Sequence, residues 1–455
     1  MVSSFLTFWV WDAMNLSLSE SWLKNALWIL AYMWIGLVVY TMISAVLGFH
    51  VVRRSYVYTL RALSAFFGSR KRRKQAETNT ATLGGMPRNK SLKNLRHHEF
   101  ELADACEFIS SGIGAIMEDD VTKCFSTEEV EEWNFLTRTK YHMNLSLKLE
   151  ILLWLSVVFR FGMFFLLRLP IGLTSLLWLG ITVCVLSVLG FLFPNKQWRR
   201  KAERYCTMVC CRLISAAFSA HITIHNPQNR AQCGSVCVAN HTTPIDIVML
   251  AVDNSFTLVG QRHGGFMGLI QKACSLAQKH IWFERQAAKD RQMVTKRLKE
   301  HVRDPNNNPI LLFPEGTCIN NTSVFMFKKG CFELGATIYP VVIKYHRAFA
   351  DPFWNSQEQG ILTYLFMLMT SWAIVCDVYY LQPTRIQENE TAIEFAQRVK
   401  ADICRKGGLV DLPWDGMIKR AGNENYLRKL VEDERRMYCE GLQLKEEGTE
   451  PNSTN

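Results

Sequence analysis

The sequence predicts an α/β domain with a largely parallel central sheet flanked by helices, joined to an N-terminal transmembrane helix and a membrane hairpin. Three observations carry this. Beyond residue 202, short apolar runs alternate with helical patterns, as in parallel strands covered by helices on both faces. Residues 25–52 contain no Asp, Glu, Lys or Arg, a run long enough to span a bilayer. A second apolar block runs from Ile151 to Asn195 and is interrupted by Arg160, Arg168, Pro170 and Gly172.

Residues 1–75 are read as the membrane anchor. Only Asp12, Glu20 and Lys24 are charged before the first apolar run. Arg53-Arg54 and Arg70-Lys71-Arg72-Arg73-Lys74 follow it. Positive charge marks the cytosolic flank, so the N-terminus is expected outside the cytosol and Arg53 onward inside it. The first residues lack a basic stretch, which argues against a cleaved signal peptide. Residues 76–147 read as a cytosolic linker and short helices. Ser126 is placed to cap, Glu129 to reach back and Phe125 to staple onto Val130.

Residues 148–195 are expected to form the hairpin, turning at Pro170 and Gly172. Leu169 to Asn195 is uncharged, and Lys196, Arg199, Arg200 and Lys201 follow at once. The flanks fit a hairpin that enters and leaves on the cytosolic face, crossing twice or dipping in. A buried pair of core helices is the alternative.

Residues 196–438 carry the α/β texture. Gly234 to Ala239 reads as a buried strand ending just before His241. Thr242, Thr243 and Pro244 read as a helix start, with Pro suited to the first turn. Met293, Val294, Leu298 and Val302 recur at helical spacing between Asp290 and Arg303. Asp304 to Pro309 is a turn, and Ile310–Phe313 and Ile338–Tyr345 are strands. Gln359 to Cys376 is uncharged, and is expected to be a helix buried in the domain or resting on the bilayer rather than a third span. Residues 439–455 read as a disordered tail.

The formal net charge is +11. Nucleic acid, an anionic membrane surface or a phosphate-bearing substrate would each suit that balance. No nucleic-acid module is visible, and the apolar runs favour the membrane. The 14 cysteines include no CxxC pair and no zinc spacing, so free thiols and no metal site are expected.

Asn240-His241-Thr242-Thr243-Pro244-Ile245-Asp246 is the stretch most suggestive of chemistry. A carboxylate that fixes an imidazole's tautomer makes it a general base. A strand-to-helix junction would bring His241 and Asp246 together. A turn histidine beside a capping aspartate is the plain alternative. His263 is a second candidate histidine without a carboxylate nearby in sequence, and Cys318 a candidate covalent nucleophile.

Four blocks then fall in order: Asn240-His241-x4-Asp246, Ile281-Trp282-Phe283-Glu284-Arg285, Phe313-Pro314-Glu315-Gly316-Thr317 and Ile338-Tyr339-Pro340-Val341. Together they resemble the glycerolipid acyltransferase superfamily. Phe313 to Ser323, Phe327-Lys328-Lys329-Gly330, Met369 to Cys376 and Gly407-Gly408-Leu409-Val410-Asp411 resemble its microsomal glycerol-3-phosphate acyltransferases. The resemblance covers roughly residues 100–435. Thr243 stands where the superfamily most often has Ser, and Lys279 where it has Gly.

The resemblance implies an acyltransferase domain at the cytosolic face of the endoplasmic reticulum. It implies acyl-CoA as co-substrate without a cofactor, and glycerol 3-phosphate as acceptor. His241 would be the base and Asp246 its orienter. Arg285 would clamp the phosphate. Gly316 would offer its N–H to phosphate or oxyanion. Glu315 would hold Arg285 or accept from a glycerol hydroxyl. Phe313, Pro314, Thr317 and Lys328 would complete the substrate site. Lysophosphatidic acid as acceptor, or a non-catalytic lipid-binding role, are the rival readings.

Overall fold

The computed structural model describes residues 24–63 except 27 and 30, 147–192, 196–283, 288–356 and 359–413. The linker and short helices expected before residue 147, the tail 439–455 and Arg285 lie outside these residues.

Two helices come first, α1 (Lys24–Leu47) and α2 (51–63). Trp28, Ile29, Tyr32 and Ile35 of α1 are exposed. On α2, Val57 is buried against Phe349, Ala373 and Val375, and Tyr56 donates to the Trp372 carbonyl at 3.0 Å.

The hairpin expected within 148–195 is not what forms. α3 (Leu147–Val158) passes through a π-helical segment (Phe159–Phe164) directly into α4 (Phe165–Leu192), with Pro170 inside the helix. Proline removes one ladder donor and crowds the preceding turn. Apolar helices tolerate it through local π adjustments; here the π segment lies just upstream. The chain reverses later, between α4 and α5 (Lys196–Ala217). Their contacts run in opposite chain directions: Trp178 with Cys206 at 3.1 Å, and Arg168 with Ser219 at 3.0 Å. Leu169, Leu173, Leu176, Leu177, Ile181, Val185 and Val188 of α4 are exposed. α1 and the run Trp154–Val188 are both long and apolar enough to cross a membrane.

The rest is the predicted α/β layer structure. In chain order it runs β1 (His221–His225), β2 (Val236–Ala239), α6 (Asp246–Ala251), β3 (Thr257–Gln261), α7 (Gly265–Ala277), β4 (Ile281–Phe283), α8 (Ala288–Arg303) and β5 (Ile310–Leu312). Then come β6 (Ser323–Val324), β7 (Ile338–His346), α9 (Ile361–Met369), β8 (Val375–Tyr380), α10 (Ala392–Gly407) and β9 (Val410–Asp411). Seven strands make one sheet in the order β1-β8-β7-β2-β5-β3-β4, parallel except where β7 meets β8. β6 and β9 pair separately.

Alternation along β2 builds two cores. Val236 and Val238 face Val342, Phe395 and Ile403 on one side; Cys237 and Ala239 face Met249, Leu250 and Ile343 on the other. Both faces of a central parallel strand are covered, so β2 is apolar throughout.

The uncharged run Gln359–Cys376 yields α9, a short break and the start of β8. Nine residues of α9 cover about 14 Å at 1.5 Å per residue, under half of a bilayer's hydrocarbon core. Tyr364 and Leu368 are buried in the domain core, as expected of a packed helix.

Candidate active site

The parallel strands β2 and β5 end beside each other, and their C-terminal edge carries His241 and Phe313. Ligands of open α/β sheets bind at this edge. The β2–β7 ladder ends at Ala239 against Val341. Beyond it, β7 continues without a backbone partner on that side. Asn240 replaces one: its amide donates to the Ile343 carbonyl at 2.9 Å and its carbonyl accepts from the Ile343 N–H at 2.8 Å. Asn321, in the left-handed region at φ 61°, does the same one step further. It donates to the Ile343 carbonyl at 2.8 Å and accepts from the Tyr345 N–H at 2.9 Å. It also donates to Thr242 Oγ1 at 2.9 Å. Buried backbone groups that outrun a ladder need such partners. Here those partners fasten the loop on either side of the histidine.

The helix expected from Thr242 begins later, at Asp246. Residues 242–245 form a turn instead, because the Asp246 carboxylate folds back over it. Asp246 Oδ2 accepts from the N–H of Thr242 at 2.7 Å, from that of Thr243 at 2.9 Å, and from His241 Nδ1 at 2.9 Å. Oδ1 accepts from the Tyr345 hydroxyl at 2.6 Å. Asp246 is fully buried, whereas 17 % of the His241 side chain is exposed. With Nδ1 committed to Asp246, Nε2 is the nitrogen left for another partner. Its neighbour is Cys318 Sγ at 3.3 Å. Burial pushes the imidazole pKa down, Cys318 and the Asp246 carboxylate push it up, and the net direction is up.

Phe313 stacks on the imidazole at 4.1 Å between ring centres, with 16° between the planes. Pro314 and Glu315 turn the chain, and the Gly316 N–H closes the turn on the Phe313 carbonyl at 3.1 Å. Gly316 has φ +69°, where a side chain would strain the backbone. Further along, the Ile319 N–H donates to the His241 carbonyl at 3.1 Å.

This chain has relatives. The Acyltransferase family model matches residues 221–344. Mouse glycerol-3-phosphate acyltransferase 4 is 49% identical over 341 residues, 75% of this chain and 73% of its own. The chain belongs to the glycerol-3-phosphate acyltransferases. Human glycerol-3-phosphate acyltransferase 3 is 49% identical over 74% of this chain and 76% of its own. The crystal structure of a 1-acyl-sn-glycerophosphate acyltransferase from Thermotoga maritima is 15% identical over 52% of this chain and 96% of that chain, with a TM-score of 0.35.

Within this acyltransferase, His241 and Asp246 meet as their spacing suggested. Glu315 does different work from that expected. It is buried, and its two oxygens accept from the backbone N–H of His241 at 2.8 Å and of Phe325 at 2.9 Å. It braces the turn at His241 rather than reaching for a hydroxyl. Burial raises its pKa to about 8, although those two N–H bonds pull it down. Gly316 spends its N–H on the turn rather than offering it to an anion. Phe313 orients the imidazole. Pro314 carries the turn, and its carbonyl accepts from the Lys328 N–H at 3.1 Å. The Lys328 side chain is exposed, and Thr317 is half-buried on the same loop. His263 is exposed just past the C-terminal end of β3.

Reading the sequence missed Tyr345, Tyr364 and Asn321 as parts of the site. Tyr364 of α9 bonds Thr243 Oγ1 and donates to the Pro352 carbonyl at 2.8 Å. Both tyrosines sit at inward positions of apolar elements, where they pass for core. Their hydroxyls were the available signal, because a buried tyrosine O–H usually has a partner.

Proposed function

We propose that this chain transfers an acyl group from acyl-CoA to the sn-1 hydroxyl of glycerol 3-phosphate, giving lysophosphatidic acid and CoA. The His241–Asp246 bond at 2.9 Å, which commits Nδ1 and leaves Nε2 to take a proton, is the observation that carries the reading. The hydroxyl oxygen attacks the thioester carbonyl while Nε2 takes its proton. Asp246 holds the tautomer and stabilises the imidazolium. The tetrahedral intermediate then expels CoA, whose sulfur takes the proton from the imidazolium. A positioned base of this kind contributes about 10²–10⁴ in rate. A thioester is already activated, so the reading needs no metal and no cofactor beyond the acyl-CoA co-substrate.

Arg285 is the proposed phosphate clamp. A planar guanidinium matches two phosphate oxygens. It follows β4 by two residues, and β4 runs parallel to β3, β5 and β2. The two long apolar helices support membrane association. The charge flanks support a catalytic domain on the cytosolic side, and the resemblance to the microsomal enzymes supports the endoplasmic reticulum and a supply of lysophosphatidic acid to phospholipid and triacylglycerol synthesis.

The test is an acceptor panel with purified full-length protein and one labelled acyl-CoA. Glycerol 3-phosphate should be acylated, and His241→Ala should lose at least 10²-fold in kcat while remaining in the membrane fraction. Arg285→Ala should raise the KM for glycerol 3-phosphate about tenfold, and that for acyl-CoA far less. Faster acylation of lysophosphatidic acid would replace the acceptor; substantial activity in His241→Ala would remove the mechanism.

A further inference from the structure

The base already has a nucleophile beside it. Cys318 Sγ lies 3.3 Å from His241 Nε2, while Nδ1 is held by Asp246 at 2.9 Å. Cys318, His241 and Asp246 therefore form the arrangement in which an imidazole activates a thiol: the nucleophile within bonding reach of the base, and the base within reach of its orienter. The thiol is not sealed in the core. Cys318 is half-buried, whereas Cys237 and Cys376 are fully buried.

The loop geometry holds the thiol there. The backbone on one side is closed by the turn at Gly316, and on the other the Ile319 N–H is tied to the carbonyl of His241 itself. Cys318 is thus carried between two points fixed to the catalytic loop. Any hydroxyl that gives its proton to Nε2 must come within about 3 Å of it, which is the place Sγ occupies.

We propose that Cys318 is a self-acylation site: when acyl-CoA is bound and no acceptor is present, Sγ takes the acyl group. The inference rests on the reading that acyl-CoA is the donor. In this step the Cys318 S–H proton passes to His241 Nε2, and the sulfur adds to the thioester carbonyl. The carbon–sulfur bond to CoA breaks, and the CoA thiolate takes the proton from the imidazolium. One thioester replaces another, so no oxidant, reductant or further reactant is needed. For the same reason the exchange is reversible, and free CoA drives it backward. Acceptor hydroxyl and Cys318 then compete for one nitrogen, and the adduct accumulates only when glycerol 3-phosphate is scarce.

The experiment uses the purified full-length protein in detergent micelles with palmitoyl-CoA and no acceptor, read by mass spectrometry of the peptide containing Cys318. A palmitoyl group that hydroxylamine removes is expected there. Excess CoA should remove it as well. His241→Ala should form it at least tenfold more slowly, and Cys318→Ala should lack it at that peptide. The absence of an adduct on Cys318 overturns the inference. An adduct that forms equally fast in His241→Ala also overturns it, because the thiol would then react without the base. Glycerol 3-phosphate turnover is read in the same preparation. Turnover without an adduct removes this inference alone, and an adduct without turnover removes the acceptor reading alone.

Discussion

At the residue scale, the His241–Asp246 pair is set by what surrounds the aspartate. Tyr345 is its longest-range support, donating to Asp246 Oδ1 at 2.6 Å from the opposite side of the turn. A hydrogen bond to a charged group contributes about 1.5–3 kcal/mol. Tyr345→Phe removes that donor without changing the packing volume. We expect kcat to fall at least tenfold with both KM values nearly unchanged, because the residue acts through Asp246 and touches no substrate. A rise in KM with unchanged kcat would contradict this. Glu315 gives a second prediction. In Glu315→Gln, the amide nitrogen must face the N–H of either His241 or Phe325, and the lost bond costs about 1–3 kcal/mol. The variant should therefore melt below the parent at pH 5. The folded carboxyl has its pKa raised to about 8, so between the ordinary carboxylate range and pH 8 the folded state binds more protons than the unfolded state. Parental stability then falls as pH rises through that window, whereas the glutamine does not titrate. The melting gap should narrow from pH 5 to pH 8; a widening gap would exclude this account. His241 and Asp246 were legible because both partners are side chains five positions apart. Glu315 was not, because its partners are backbone N–H groups, which every residue but proline carries.

At the element scale, one arginine joins the long apolar helix α4 to the α/β domain. Arg168 of α4 is buried and donates to the carbonyls of Met369 at 2.7 Å and Trp372 at 2.6 Å, to the Ser371 carbonyl and to Ser219 Oγ at 3.0 Å. These carbonyls lie at the end of α9, where a cation is favourable. Phe366 of α9 packs edge-on against Phe165 of α4 at 5.0 Å, and Tyr364 on the same helix bonds Thr243 beside the catalytic histidine. α9 thus touches the apolar helix on one face and the catalytic turn on the other. Arg168→Met should lower the melting temperature and the activity together, since each carbonyl left buried without a donor costs about 1–3 kcal/mol. Arg168→Lys should rescue little, because a single ammonium cannot reproduce a planar fork spread over separate acceptors. Full activity in Arg168→Met would show that α9 holds the site without the latch. In the sequence, Arg168 reads as an interruption of an apolar run, which misplaced the turn at Pro170. Its acceptors lie about two hundred residues away as backbone carbonyls, so no local pattern could announce them.

At the scale of the whole molecule, topology follows from what crosses the bilayer and what does not. The alternation of strands and helices was legible because the central strands are short apolar runs bounded by turns. β8 was not, because it continues the uncharged run begun by α9 without a compositional break. The separation matters for orientation. α9 is too short to span, and the chain from Lys196 through Leu412 forms one α/β domain with its helices packed on the sheet. The domain from Lys196 onward is therefore expected on one side, and the tag near 90 shares that side when the continuous run Trp154–Val188 lies along the bilayer without crossing it. The charge flanks of α1 place its N-terminal end on the other side. In intact microsomes, a tag at the N-terminus should be protected from protease, while tags near residues 90 and 450 should both be cut. Asn321, although it stands in an Asn-x-Ser sequon, has its amide buried among Thr242, Ile343 and Tyr345, so it should carry no glycan. Asn15, in Asn15-Leu16-Ser17, is the acceptor exposed to the lumen in this arrangement. Protection of the tag near 90 would reverse the orientation. Protection of the tag near 450 alone would mean that the run Trp154–Val188 crosses the bilayer once, since α9 is too short to supply a crossing.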